Sequence, residues 1–182
     1  MAESASLAGR PGMMRSRFLG TSQVYQSRKP TIAAVNGASV GAGFSLALYD
    51  GWRSPETVRA LYEHFYGPGS TLAPGFLADP DDPAVIPPHT TGAAVDLALA
   101  LDGDALALGT FFDDFTDAAH LTACERPGAD PLARALRRVL HAAMTDAGFA
   151  PNPTEWWHWS YGDQAWAART GAVTARFGPV RP

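Results

Sequence analysis

Residues 94–108, AVDLALALDGDALAL, constrain the fold more than any other stretch of this chain. Val95, Leu97, Leu99 and Leu101 alternate with the smaller or polar Ala94, Asp96, Ala98 and Ala100, which is the period of a β-strand. Asp102-Gly103-Asp104 then reads as a turn, and the Ala-Leu-Ala-Leu run at 105–108 as the returning arm of a hairpin. A hairpin joins antiparallel neighbours, so the sheet that contains it is not the all-parallel kind. Nor does the rest of the chain show the regular strand–helix alternation that parallel sheets require. Helices are signalled at two places. Ser54 is an N-cap with Pro55 and Glu56 in the first turn; Val58, Leu61, Tyr62 and Phe65 share one face, and Gly67 ends the run. Asp130-Pro131 opens a second helix with Leu132, Leu136, Val139, Leu140, Ala143 and Met144 at helical spacing and Gly148 as its stop. The expected class is α+β, a small antiparallel sheet with flanking helices.

The remaining segments fill in this outline. TIAAV at 31–35 predicts a short buried strand closed by Asn36-Gly37, and FSLALYD at 44–50 predicts another. Residues 68–88, rich in Pro, Gly and Asp, predict a long site-shaping loop. A short helix is expected around 164–169 and a last strand at AVTARF, 172–177. Residues 1–28, rich in Gly, Ser and Arg without periodicity, predict a flexible arm, leaving 29–182 as a single domain. A chain of 182 residues suits one core rather than two.

Bulk properties narrow the function classes. A net charge of -4 argues against a general nucleic-acid or anionic-membrane binder. No run of eighteen apolar residues predicts a membrane span, and no secretion signal follows the N-terminal arginines, so the cytoplasm is the expected compartment. One cysteine, Cys124, excludes a disulfide framework and a multi-thiolate metal site. A bound metal would need histidine and carboxylate ligands.

Two histidines have carboxylates close by in sequence: His89 with Asp96, and His158 with Glu155. Two imidazoles and one carboxylate suit zinc with an open fourth position, the arrangement of a catalytic site, and a spare glutamate beside it could act as a general base. The spacing sets a geometric condition. His89 and Asp96 are seven apart and would face opposite sides of one regular strand, so the Thr90-Thr91-Gly92 stretch must bend, with Gly92 supplying unusual backbone angles. Glu155 and His158 are three apart, which suits a helical turn, whereas their tryptophan neighbours favour a strand; irregular backbone is expected at Glu155 and Trp156. His64, His120 and His141 read as ordinary core or surface histidines. In DGWRSP, Arg53 follows a tight turn before a helix and could meet a developing oxyanion or a substrate carboxylate, with Asp50 orienting it; the plainer alternative is a surface arginine beside an Asx turn.

Taken in order, DGWRSP, PPHTTGAAVD, LGTFFD and EWWHWSYGDQ resemble the motifs of the zinc D-alanyl-D-alanine dipeptidases of the vancomycin-resistance type, over roughly residues 49–180. The resemblance implies His89, Asp96 and His158 as zinc ligands and Glu155 as the base that takes a proton from the metal-bound water. It further implies Arg53 as stabiliser of the tetrahedral intermediate and Asp113 as acceptor of the substrate ammonium. The substrate would be a small D-alanyl-D-alanine dipeptide, cleaved to two D-alanines. Pro87 stands where many members have Ser, and Leu108 where Met is usual.

Upstream, KPTIAAVNGASVGAGFSLAL, residues 29–48, is similar to a stretch of the enoyl-CoA hydratase family, in which a backbone N–H of the glycine turn helps bind a thioester oxyanion. The similarity stops at Tyr49, and the rest of that fold has no counterpart here. The alternative to a working dipeptidase is therefore a truncated or fused, catalytically impaired relative acting at most as a binding module; a CoA-thioester enzyme ranks below both.

Overall fold

The alternating run at the centre of the chain forms the central strand of the sheet. In a computed structural model that describes residues 44–181, β2 (Ala94–Leu101) pairs antiparallel on one side with β1 (Phe44–Asp50) and on the other with β5 (Glu155–Ser160), and β4 (Ala150–Asn152) closes the order β1-β2-β5-β4. A two-residue β3 (Asp104–Ala105) folds back on the end of β2. Helices α1 (Pro55–Tyr66), α2 (Pro131–Asp146) and α3 (Gln164–Thr170) flank this sheet, giving the α+β class. Pro151 sits in an edge strand, where its missing N–H breaks no ladder. The expected arm at 1–28, the strand at 31–35 and most of the 29–48 segment lie outside the described residues; Phe44–Leu48 forms the greater part of β1.

Helix boundaries follow their caps. Ser54 accepts from the N–H of Thr57 at 3.1 Å and Asp130 from that of Leu132 at 2.8 Å, each satisfying an N-terminal donor that the helix itself leaves open. Asp163 caps α3 in the same way at 2.7 Å. On α2 the apolar stripe of Leu136, Leu140 and Met144 joins Val95, Leu97, Leu99 and Trp159 in one core cluster. Val95 and Trp159 are register partners and share a sheet face, with the His141 ring of α2 5.8 Å from Trp159. Asp96 and His158 are the next partners, so they share the opposite face.

Two strand expectations are corrected. The returning arm at 105–108 pairs only through Ala105 and the Leu106 N–H, which donates to Leu99 O at 2.8 Å; Leu108 then turns into the core, fully buried. Residues 172–177 form no strand. Their alternation has nothing to bury against, Val173 being 99% exposed, and the segment instead crosses back over the sheet end. The Arg176 and Phe177 N–H groups both donate to Gly162 O, the Arg176 guanidinium lies 4.5 Å from the Trp166 ring, and the Val180 N–H reaches Thr90 O at 2.9 Å. No helix among the described residues is long and apolar enough to cross a membrane.

Candidate metal centre

Three irregularities in the sheet bring the site together. Between Leu48 and Asp50 the β1–β2 register slips by one residue, so that Asp50 comes opposite Asp96. Ahead of β2, residues Pro88–Thr91 form a single 3-10 turn that Gly92 ends at φ 69, its N–H donating to His89 O at 3.3 Å. This is the bend that the odd His89–Asp96 spacing demands, and it returns the imidazole to the Asp96 face. Finally, β4 pairs Ala150 with Ser160 and Pro151 with Trp159, then jumps to pair Asn152 with Glu155. The irregularity expected near Glu155 and Trp156 is this slip against β4, within β5, whose residues 158–160 pair with β2.

As a result His89, Asp96 and His158, all buried, present ligand atoms within 4.8 Å of one another. His89 Nε2 lies 3.1 Å from His158 Nδ1 and 3.3 Å from Asp96 Oδ2, and His158 Nδ1 lies 3.1 Å from Asp96 Oδ1. The outer nitrogens decide what the inner ones can do. His89 Nδ1 is 2.7 Å from Gly51 O, a pure acceptor, so it carries the proton and leaves Nε2 as a lone pair. His158 Nε2 faces the Ser160 hydroxyl at 3.5 Å. Asp96 Oδ1, fully buried, faces His158 Nδ1 at 3.1 Å. Lone pairs of two nitrogens and a carboxylate pointing at one spot repel unless a positive charge lies among them. An N,N,O set of this kind, with the His89 tautomer fixed by a backbone carbonyl, fits a divalent cation of the zinc kind.

The electrostatics agree. Burial pushes the Asp96 carboxyl up, but the two imidazoles and their hydrogen bonds outweigh it and leave it well below the usual carboxylate range. His89 is lowered, by burial first and then by the nearby Arg53 cation. Burial lowers His158 as well, yet Asp96 and Glu155 together raise it above the ordinary histidine value.

Around this cluster stand the other expected residues. Arg53 donates from Nε to Asp50 Oδ2 and from Nη2 to Asp96 Oδ2 at 3.0 Å; Asp50 Oδ1 meanwhile accepts from the Gly51 N–H at 2.7 Å. Asp50 thus orients the guanidinium, whose side chain is 12% exposed and pairs inward with Asp96, unlike a surface arginine. Glu155 Oε2 lies 3.7 Å from His158 Nδ1, and burial raises its carboxyl. Asp113 is pushed up to about 7, by burial and then by the charge of Asp96, and its backbone is left-handed at φ 57. Arg53, His89, Asp96, Asp113, Glu155 and His158 line one cleft of about 570 Å³ among the described residues. Its far wall comes from Tyr62 and Tyr66 of α1 and from the 74–79 part of the long loop, which supports the site-shaping role expected of that loop. His64, His120 and His141 lie outside it.

Two residues went unnoticed in the sequence. Asn152 hydrogen-bonds Glu155 three residues on, across the Pro153-Thr154 turn that joins β4 to β5. Arg137, 5% exposed, donates to Leu108 O, Ala118 O and His120 O at 2.7–3.1 Å and so anchors both ends of the segment that carries Asp113. A signal existed here: Arg137 falls on the stripe Ala133–Arg137–Leu140–Met144, where an apolar side chain is the norm.

Comparison with known proteins places this constellation. Residues 15–176 match the family described as D-ala-D-ala dipeptidase, a peptidase family, and the match runs through residues 29–48 as well as the four motifs. A D-alanyl-D-alanine dipeptidase of Synechocystis is 34% identical over 96 residues, 48% of this chain and 39% of the relative. One of Escherichia coli is 30% identical over 118 residues, 64% of this chain and 55% of the relative. The chain thus spans less than two thirds of the length of these two, but 80% of a Streptomyces coelicolor dipeptidase that is 30% identical over 177 residues, 85% of this chain. With a match across most of its length and a His–Asp–His cluster at the motif positions, the chain belongs to the D-Ala-D-Ala dipeptidase family.

Proposed function

We propose that this protein hydrolyses a D-alanyl-D-alanine dipeptide to two D-alanines, with zinc held by His89, Asp96 and His158 and with Glu155 as general base. The observation that carries the reading is the convergence of three buried ligand atoms within 4.8 Å of one another, with the Glu155 carboxylate beside them at 3.7 Å from His158 Nδ1. Zinc, when bound, supplies a Lewis acid for the scissile carbonyl and lowers the pKa of water. Glu155 takes a proton from the attacking water as its oxygen adds to the carbonyl carbon, and delivers that proton to the nitrogen as the C–N bond breaks. A carboxyl raised by burial is suited to both halves of this task. Arg53, held by Asp50, offers its guanidinium to the negative oxygen of the tetrahedral intermediate. Asp113 faces the substrate ammonium; that cation favours the ionised carboxylate, so amine binding and loss of the Asp113 proton reinforce each other.

The test combines metal analysis with turnover. About one zinc per chain and chelator-sensitive release of D-alanine are expected, and Glu155→Ala keeps the zinc while turnover falls by about 10²–10⁴-fold. Folded protein without zinc, or an equally fast Glu155→Ala variant, refutes the mechanism. Zinc bound with no turnover in the parent supports the binding-module alternative instead.

A further inference from the structure

Glu155 as a base has a structural problem to solve. Its Oε2 lies 3.7 Å from His158 Nδ1, the inward nitrogen of the metal cluster, so a small swing would carry the carboxylate into the position of a fourth ligand. A glutamate bound to the metal can no longer collect a proton from water there. Something must hold it back.

Glu155 Oε2 accepts a hydrogen bond from Asn152, whose Nδ2 donates to it at 2.9 Å. The orientation of that amide is decided on its other side. Oδ1 accepts from the Thr154 N–H at 3.4 Å and from the Thr154 hydroxyl at 3.2 Å, with the Arg169 guanidinium at 3.5 Å. With N–H donors there, that end must be the oxygen, so the donor end faces Glu155. Asn152 owes its place to the slip in the β4–β5 register that sets it opposite Glu155, and it lines the same cleft as the metal cluster.

We propose that Asn152 is a positioning residue for Glu155: its side-chain amide holds Oε2 so that the carboxylate stands beside the metal position as a base instead of entering it as a ligand. This rests on the dipeptidase reading above. Asn152→Asp is the informative change, because it keeps the shape and the Oδ1 acceptor of the Thr154 turn while turning the donor into a second negative oxygen. Asn152→Ala removes both.

The experiment measures kcat and KM for D-alanyl-D-alanine, zinc affinity by chelator competition and melting temperature, for zinc-loaded parent, Asn152→Asp, Asn152→Ala and Glu155→Ala. Both Asn152 variants are expected to lose about 10–100-fold in kcat, with KM changed less than about threefold and zinc bound as tightly as in the parent or more tightly. A merely structural role would weaken zinc binding and melting temperature along with kcat, and that result overturns the proposal. So does parent-like kcat in both variants when Glu155→Ala is inactive, which leaves the dipeptidase reading standing. An inactive parent, or an active Glu155→Ala, removes that reading and the proposal with it.

Discussion

Replacing Gly92 by alanine separates two costs that the structure allows to be weighed. A Cβ at this position would meet nothing closer than Trp52 Cδ1 at 3.8 Å, an ordinary contact, so no clash enters. The remaining cost is the left-handed backbone at φ 69, about 1–2 kcal/mol for a residue with a Cβ. The chain could escape it by moving to negative φ, but that would swing the 89–91 turn away from its neighbours. Three hydrogen bonds hold the turn from outside: Arg53 N–H to His89 O at 3.1 Å, Trp52 Nε1–H to Thr90 O at 3.2 Å and Val180 N–H to Thr90 O at 2.9 Å. At about 0.5–1.5 kcal/mol each they total roughly 1.5–4.5 kcal/mol, more than the strain. The turn therefore stays and the strain is borne. Gly92→Ala should lower the melting temperature by about 2–8 °C while zinc affinity changes less than about threefold. Gly92→Asn, tolerant of left-handed backbone, should lose less. The assay is thermal unfolding of metal-free protein alongside chelator competition. If the melting temperature holds but zinc affinity drops more than tenfold, the turn has flipped and the tethers are weaker than argued.

Two further outcomes follow from neighbouring features. Gly162→Ala should destabilise more than Gly92→Ala, because its Cβ would lie 2.7 Å from the Phe177 ring as well as at φ 87, and displacing Phe177 loosens the tail that donates to Gly162 O; a smaller effect on urea unfolding would contradict the packing described here. Asp113 is raised to about 7 in the fold, above its unfolded value, so the stability it contributes is full below about pH 4 and is lost as pH rises through 7. Asp113→Asn, which accepts the same left-handed backbone, should match the metal-free parent near pH 4 and exceed it by roughly 4 kcal/mol at pH 8. Equal stabilities of the two at pH 8 in urea titrations would refute the burial argument, and the same variant should raise KM for the dipeptide.

What could be read in the sequence, and what could not, divides along the distance over which each constraint acts. The caps at Ser54, Asp130 and Asp163 are written within three residues of the donors they satisfy, and the helices begin where those caps stand. The same holds for the bend at Gly92: seven residues between His89 and Asp96, set against a period of two, already require it. The last strand failed for the opposite reason. Alternation in AVTARF states which side chains would share a face but not whether a partner strand or a core awaits them, and none does; the hydrogen bonds of Arg176, Phe177 and Val180 go to Gly162 and Thr90 instead. The site shows both kinds of information at once. His89, Asp96, Glu155 and His158 could be picked out by chemistry and spacing, yet their convergence depends on register, Asp96 opposite His158 and Asp50 opposite Asp96 after a one-residue slip. Asn152 stands only three residues from Glu155, but its strand register adds to this: without the slip between β4 and β5 it would face His158 in place of Glu155. A metal cluster can thus be inferred from residue types, whereas the group that keeps its base out of the metal appears only once the strands are paired.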